Sequence, residues 1–123
     1  MPLTENVDVL IVGSGPAGMS TALHLMDADR NWNGRVVIVD KAIHPRDKLC
    51  GGGITNGGDN ILEGLGLRYD GPQVVVQELE LIYRGHSHVM NADPVFRVVR
   101  RNEFDHWLAR RGQSRGLTLR QGE

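Results

Sequence analysis

The sequence predicts an α/β fold with a parallel strand–helix–strand unit at the N-terminus and antiparallel strands further along the chain. An almost continuously apolar run at 7–12 is bounded by glycine, which is typical of a strand buried on both faces of a parallel sheet. Apolar residues then recur at helical spacing over 17–27, and a second β-branched strand follows at 36–39. Together these elements have the size of a βαβ crossover, about 30 residues or more, which would make the two strands parallel neighbours.

The composition excludes several classes of protein. The chain has 123 residues, enough for one domain, and 40% of them are apolar. The 14 Lys and Arg are balanced by 15 Asp and Glu, so neither a nucleic-acid surface nor a polybasic membrane patch is expected. A single cysteine excludes an internal disulfide and makes the cytoplasm the default compartment. No apolar stretch approaches the roughly 18–20 residues of a transmembrane span.

The remaining elements follow from turn and capping signals. A short helix is expected within 54–65, ending at Gly64 or Gly66, and Asn102 is placed to cap a further helix that runs to 114. Pro94 is expected at an edge or turn position. Strands are expected at 74–83, 95–99 and 117–121, with a turn and a short strand at 85–93. Because the last helix is a crossover connection, we predict that the final strand runs parallel to the second strand, on the side away from the first.

The turn after the first strand is rich in glycine, and each glycine has a physical task. Gly13 permits a tight turn, Gly15 lets the backbone approach a pyrophosphate, and Gly18 lets the helix pack closely on the sheet. The helix then directs its free N–H groups and positive dipole end at the phosphates. Asp40 ends the second strand 22 residues past Gly18, the spacing of an acid that binds a ribose hydroxyl. Strand, helix and acid together predict a dinucleotide site, whereas the glycines alone would also fit a turn of an ordinary α/β domain.

Three motifs make the chain similar to a family of flavoproteins. Residues 13–18 read G-x-G-P-A-G, residues 46–53 read R-D-K-L-C-G-G-G, and residues 101–108 read R-x-x-F-D-x-x-L. In this order they resemble the geranylgeranyl reductase branch of the para-hydroxybenzoate hydroxylase-like FAD-dependent oxidoreductases, over most of the chain. The resemblance implies a partial Rossmann-type FAD-binding domain, with a parallel βαβ unit and an antiparallel layer that contains a β-hairpin.

The resemblance implies FAD as cofactor and indicates which residues contact it. Cys50 would lie beside the isoalloxazine ring as the candidate catalytic residue, the alternative being an inert residue in a tight turn. Arg46 and Lys48 would hold phosphate oxygens or balance charge on a reduced flavin, unless they are solvated loop cations. No metal site is expected, because His86 and His88 fit a solvated hairpin better than a metal clip. The expected cofactor-binding residues are Gly13, Gly15, Pro16, Ala17, Gly18, Asp40, Lys41, Arg46, Lys48, Cys50, Gly51, Gly52 and Arg101.

Family members run to several hundred residues, and their later G-D motif binds the ribityl chain and pyrophosphate. We therefore expect residues 1–123 to be the N-terminal part of an FAD-binding domain, with 70–99 beginning a β-rich substrate layer. The expected function is a flavin-dependent oxidoreductase acting on a small, isoprenoid or lipid-like molecule. The alternatives are an NAD-binding dehydrogenase domain and a non-catalytic nucleotide-binding or assembly module completed by another chain. Alone, the chain is expected to be inactive, since the G-D half of the cofactor site is missing. It is also expected to self-associate or pair with a complementing chain, since the outer edge of the first strand lacks a parallel partner.

Overall fold

The computed structural model describes residues 4–123 and divides them into two compact units. The first unit comprises the described residues up to Asp47 together with Asp105–Glu123, and the second is Lys48–Phe104. The elements in chain order are β1 (Val9–Val12), α1 (Pro16–Ala28), β2 (Val36–Asp40), β3 (Gly53–Thr55), α2 (Asn56–Gly64), β4 (Gln73–Tyr83), β5 (His86–Val99), α3 (Arg101–Ser114) and β6 (Thr118–Gln121). A short 3-10 turn at Arg30–Trp32 links α1 to β2. The α/β class predicted from the sequence is confirmed.

The first unit contains the predicted parallel sheet. Its strand order is β1–β2–β6, and β2 pairs in parallel with both neighbours. The prediction that the final strand lies beyond the second strand and runs parallel to it is therefore confirmed. This topology brings the carboxyl ends of three strands to one edge of the sheet, which is where open α/β sheets bind their ligands.

The core of the first unit lies between this sheet and the helices packed on it. Met19, Ala22 and Leu23 of α1 are buried, as their helical spacing predicts, and Ile38 of β2 is wholly buried. On α3, a Cβ added to Gly112 would stand 2.3 Å from the Met19 methyl, so Gly112 packs directly against this buried side chain. The sequence pattern therefore identified the side chains that α1 contributes to this core.

The first strand is less buried than the sequence predicts. Ile11 turns toward α1, since a Cβ on Gly18 would stand 3.2 Å from its Cγ2 atom. The alternate side chains are open to solvent: Leu10 is 57% exposed and Val12 is 81% exposed. Among residues 4–123, β1 pairs with β2 alone, so the outer edge is open, as expected. The prediction that β1 is buried on both faces of the sheet was wrong, because the described residues cover only the face toward α1.

The second unit contains an antiparallel sheet in the order β3–β5–β4. β4 and β5 form a hairpin that reverses at Arg84 and Gly85, both of which have positive φ. The expected short strand at 85–93 and the separate strand at 95–99 are in fact one continuous strand, β5. The prediction was wrong on this point because Pro94 was expected at an edge or turn position and not inside a strand. The three-residue strand β3, which pairs with β5, was not predicted from the sequence.

Pro94 lies at an irregularity in the hairpin rather than at a turn. The pairing register skips between Val76 and Glu78 of β4, opposite the part of β5 that contains the proline. Proline has no N–H for the ladder, so a strand can continue through it only where the pairing is interrupted. The Pro94 carbonyl instead accepts a hydrogen bond from Asn56 Nδ2 at 3.2 Å.

The two later helices begin close to the positions that their capping signals indicate. α2 lies within the expected 54–65 range and ends at Gly64, and Thr55 Oγ1 accepts from the Gly58 N–H at its N-terminus. α3 begins one residue before the expected cap. The Arg100 carbonyl accepts from the N–H groups of Glu103 and Phe104, so Asn102 lies inside the first turn and its assignment as the cap was wrong.

Candidate functional site

The loop between β1 and α1 has the backbone geometry that its glycines were predicted to supply. Gly13 has a φ of 104°, a conformation that side chains rarely adopt, and its N–H donates to the Val39 carbonyl at 2.8 Å. A Cβ added to Gly18 would stand 2.0 Å from the Gly13 carbonyl oxygen. Glycine is therefore required at position 13 for its torsion angle and at position 18 for the close approach of helix to loop.

The N-terminus of α1 is open to an anion. Gly15 is the N-cap residue and supplies no side-chain hydrogen bond, and the first turn contains no acidic residue. Pro16 occupies the start of the helix, where its missing N–H costs nothing. The first N–H groups of a helix have no partner within the helix, and they lie at the positive end of its dipole. This terminus therefore offers donors and positive potential to a phosphate.

Asp40 lies at the carboxyl end of β2 and is bonded directly to the loop. Its Oδ2 accepts from the Ser14 N–H at 2.8 Å and from the Ser14 hydroxyl at 2.6 Å, and its Oδ1 accepts from the Ala42 N–H at 2.9 Å. Burial alone would raise the pKa of this carboxyl. The hydrogen bonds from Ser14 and Ala42, with the nearby Arg46 charge, outweigh burial and lower its pKa from 3.8 to about 2. Asp40 is therefore an anchored carboxylate at neutral pH.

A buried polar network continues behind the loop within the first unit. The His44 Nε2 atom lies 2.7 Å from Ser14 Oγ, and the backbone N–H of His44 donates to Gln121 Oε1 of β6 at 2.7 Å. Arg46 Nη2 lies 2.8 Å from Oδ2 of Asp105, a carboxylate on α3 with no solvent exposure. Burial lowers the pKa of His44, and the Arg46 charge lowers it further, against the opposing effect of the Asp105 and Asp40 carboxylates.

Sequence reasoning missed three members of this network. Ser14, His44 and Asp105 were not among the expected site residues, although each lay within or beside a motif that was recognised. Ser14 is the variable residue between the first two glycines, and Asp105 is the acid of the R-x-x-F-D motif. The signal available in the sequence was a polar residue at each position. The partners of these residues could be identified only once the fold had brought α3 and the segment after β2 together.

The expected residues of the second unit form a separate set. Gly52 has a φ of 74°, and a Cβ there would stand 1.9 Å from the Val99 carbonyl oxygen, so glycine is required. The Gly52 N–H donates to Cys50 Sγ at 3.4 Å, and Cys50 is exposed, as is Lys48. Gly51 has open space where a Cβ would stand. Arg101 is half-buried at the first residue of α3, and Arg100 is exposed, as expected.

The expected site residues therefore divide between the units. The first unit holds Gly13, Gly15, Pro16, Ala17, Gly18, Asp40, Lys41 and Arg46, and the second holds Lys48, Cys50, Gly51, Gly52 and Arg101. Lys41 is exposed directly after Asp40. Among the described residues, no cluster of three or more His, Cys, Asp or Glu side chains could hold a metal ion. In the same part of the chain, no helix has the length and apolar character needed to cross a membrane.

Comparison with known families identifies the cofactor of this domain. A family model described as FAD binding domain matches residues 6–122. The chain belongs to this FAD-binding domain family. It is the FAD-binding domain of a flavin-dependent oxidoreductase family, and its cofactor is FAD. The match spans both units, which is consistent with the order of the three sequence motifs.

Among similar proteins, menaquinone reductase of Mycobacterium tuberculosis is 42% identical over 55 residues, which make up 45% of this chain and 12% of that protein. A geranylgeranyl bacteriochlorophyll reductase-like protein of Thermoplasma acidophilum superposes with a TM-score of 0.74 at 22% identity, over 94% of this chain and 30% of that one. The flavin-dependent halogenase CmlS superposes with a TM-score of 0.76 at 26% identity, over 93% of this chain and 22% of that one. The chain thus spans less than a third of each protein. The fold of the FAD-binding domain is shared by proteins named as reductases and as halogenases.

Proposed function

We propose that the first unit binds the ADP half of FAD, with the pyrophosphate over Gly13–Gly18 and the adenosine ribose at Asp40. The observation that carries the proposal is the uncapped N-terminus of α1 beside a carboxylate fixed at the end of β2. Phosphates would accept from the free N–H groups of the first helical turn, at the positive end of the helix dipole. The requirement for glycine at position 18 keeps helix and loop close enough to form this surface.

The hydrogen bonding of Asp40 leaves room for a ribose. An ionised carboxylate can accept about four hydrogen bonds, and three are already made to Ser14 and Ala42. A ribose hydroxyl could donate to the remaining lone pair of Oδ1. Because the three internal bonds fix the carboxylate before the ligand arrives, little rotational freedom would be lost on binding. A low pKa keeps Asp40 an acceptor over the whole physiological range.

For the residues of the second unit, we propose the roles that the family resemblance implies. FAD, once bound, supplies hydride and electron transfer, and the protein supplies orientation and electrostatics. We propose that Cys50 lies beside the flavin. The backbone next to it is held in place by a hydrogen bond from the Val99 N–H to the Gly52 carbonyl at 2.9 Å. Lys48 and Arg101 would provide positive charge for phosphate oxygens or a reduced flavin, and Gly51 would leave space for the cofactor.

The reaction class proposed is reduction of an isoprenoid or lipid-like small molecule. Two observations support it: the K-x-C-G-G-G signature at 48–53, and the similarity to proteins called menaquinone reductase and geranylgeranyl bacteriochlorophyll reductase-like. The halogenases are the alternative among the structural relatives. We further propose that the complete activity requires the part of the FAD site that carries the G-D motif, on a longer or a complementing chain.

Comparing flavin ligands tests the proposed site. FAD and FMN share the isoalloxazine ring, but only FAD carries the ADP half. We expect FAD to bind, ADP to displace it, and FMN to bind at least ten-fold more weakly. Asp40→Ala should weaken FAD binding by about 10-fold or more, since hydrogen bonds to charged groups contribute about 1.5–3 kcal/mol. Asp8→Ala, which removes a 55% exposed carboxylate on the same unit, is the matched control and should leave affinity unchanged. Equal binding of FAD and FMN would contradict the proposal.

The reaction class needs a separate experiment. Chemically reduced FAD, the chain and a geranylgeranyl lipid would be mixed under nitrogen, and the saturated product measured by mass spectrometry. We expect no turnover from the chain alone and measurable product when a segment bearing the G-D motif is supplied in trans. A chlorinated or brominated product, formed with halide and oxygen present, would favour the halogenase alternative.

A further inference from the structure

The hydrogen bonds around Ser14 determine where its single hydroxyl proton lies. Ser14 Oγ is 2.6 Å from Asp40 Oδ2 and 2.7 Å from His44 Nε2. Asp40 is ionised and can only accept, so a contact this short requires the Ser14 hydroxyl to donate to it. Ser14 Oγ therefore has no proton left for His44 and must accept one. It follows that His44 carries its proton on Nε2.

The surroundings of His44 hold the ring in this arrangement. The residue is 8% exposed, and its backbone N–H is fixed by Gln121 of β6. The charged and titratable groups near the ring are Asp40 on β2, Arg46 on the following loop, and Asp105 and His106 on α3. His44 Nδ1 and Arg46 Nη1 are both buried without a hydrogen-bond partner among the described residues. An unprotonated Nδ1 suits this position beside a guanidinium cation.

We infer that His44 is a positioning residue for the phosphate loop: its Nε2–H donates to Ser14 Oγ and thereby holds the Ser14 hydroxyl on Asp40. The contact links the loop that begins at Gly13 to the segment after β2. Ser14 gives both its N–H and its hydroxyl to the same Asp40 oxygen, so fixing its side chain also fixes the backbone at the entrance to α1. The effect on cofactor affinity rests on the proposed ADP site, whereas the tautomer and the loop geometry do not.

Variants of His44 with and without a donor test the inference. His44→Leu removes the donor, and we expect faster hydrogen exchange at the Ser14 amide and about 3- to 10-fold weaker ADP binding, the range for one lost hydrogen bond. His44→Gln retains an N–H donor and should recover most of both properties. His24→Leu is the matched control, because His24 contacts Ser20 Oγ at 3.2 Å on the exposed face of α1. The inference is overturned if His44→Gln is as impaired as His44→Leu, or if neither differs from His24→Leu.

The tautomer can be measured directly in the ligand-free protein. Two-dimensional ¹H–¹⁵N NMR of the imidazoles should show His44 with a protonated Nε2 and a bare Nδ1 at neutral pH. A proton on Nδ1 with a bare Nε2 would overturn the inference even if the variants weaken binding. Absence of ADP binding by the wild-type chain would instead refute the proposed function. In that case the NMR tautomer and the Ser14 exchange rate still decide the role of His44.

Discussion

A buried and an exposed ion pair of the first unit offer a direct test of how its polar interior is held together. Arg46 and Asp105 are 2.8 Å apart with side chains 17% and 0% exposed, whereas Arg35 and Asp8 are 2.9 Å apart with side chains 46% and 55% exposed. The separations match, so burial is the main difference. Arg46→Met should cost about 3–5 kcal/mol of unfolding free energy, because it removes the Arg46 charge from a fully buried carboxylate. Arg35→Met should cost about 0–1 kcal/mol.

Urea unfolding at pH 7, measured at low and high salt, checks this prediction. Salt should reduce the small contribution of the exposed pair and leave that of the buried pair nearly unchanged, since a buried pair is poorly screened. The double variant Arg46→Met/Asp105→Leu should regain most of the loss, because it removes both charges together. The reasoning is refuted if Arg46→Met and Arg35→Met destabilise equally, or if the double variant is no more stable than Arg46→Met.

Three further predictions follow from the loop and the sheet edge. Gly18→Ala should lower the free energy of unfolding in urea by about 2–3 kcal/mol, because the added methyl group would overlap the Gly13 carbonyl. Gly64→Ala, where the added methyl group has open space, should be neutral or stabilising. Asp40 has a pKa lowered to about 2, so its contribution of about 1–2 kcal/mol to the free energy of unfolding should be complete above pH 4 and disappear as pH falls to 2. The acid unfolding curve of Asp40→Asn should lack this pH-dependent contribution. Val12→Lys, at the open β1 edge, should reduce self-association in sedimentation velocity, and an already monomeric wild-type chain would contradict that expectation.

The sequence predicted the parallel unit well because its signals are local. The glycines at 13 and 18, the helical spacing of Met19 and Leu23, and the β-branched second strand each depend on a few neighbouring residues. The parallel direction of the strands followed from the helical crossover connections between them. These features placed the glycine-rich loop and Asp40 at one edge of the sheet before any contact was known.

The parts that the sequence did not predict depend on distant partners. Burial of β1 on both faces was inferred from composition, yet Leu10 and Val12 are exposed because no described residue covers that face. Pro94 was expected at an edge or turn position, but an irregular register lets β5 continue through it. The Asp105 carboxylate could not be placed from its motif alone, since its partner Arg46 lies 59 positions earlier in the chain. In each case a tertiary contact, present or absent, outweighed the local pattern.

The central claim is that the N-terminus of α1 and its glycine loop bind the pyrophosphate of an ADP moiety. An ADP titration followed by ¹H–¹⁵N NMR tests it directly, because every loop residue except Pro16 has a backbone amide signal. We predict the largest shift changes at the amides of Ser14, Gly15, Ala17 and Gly18, with smaller changes around Asp40 and almost none in the β4–β5 hairpin. AMP, which lacks the second phosphate, should produce the same pattern at higher concentration. Binding of ADP that perturbs residues elsewhere and leaves the loop amides unmoved, or no binding at all, would contradict the claim.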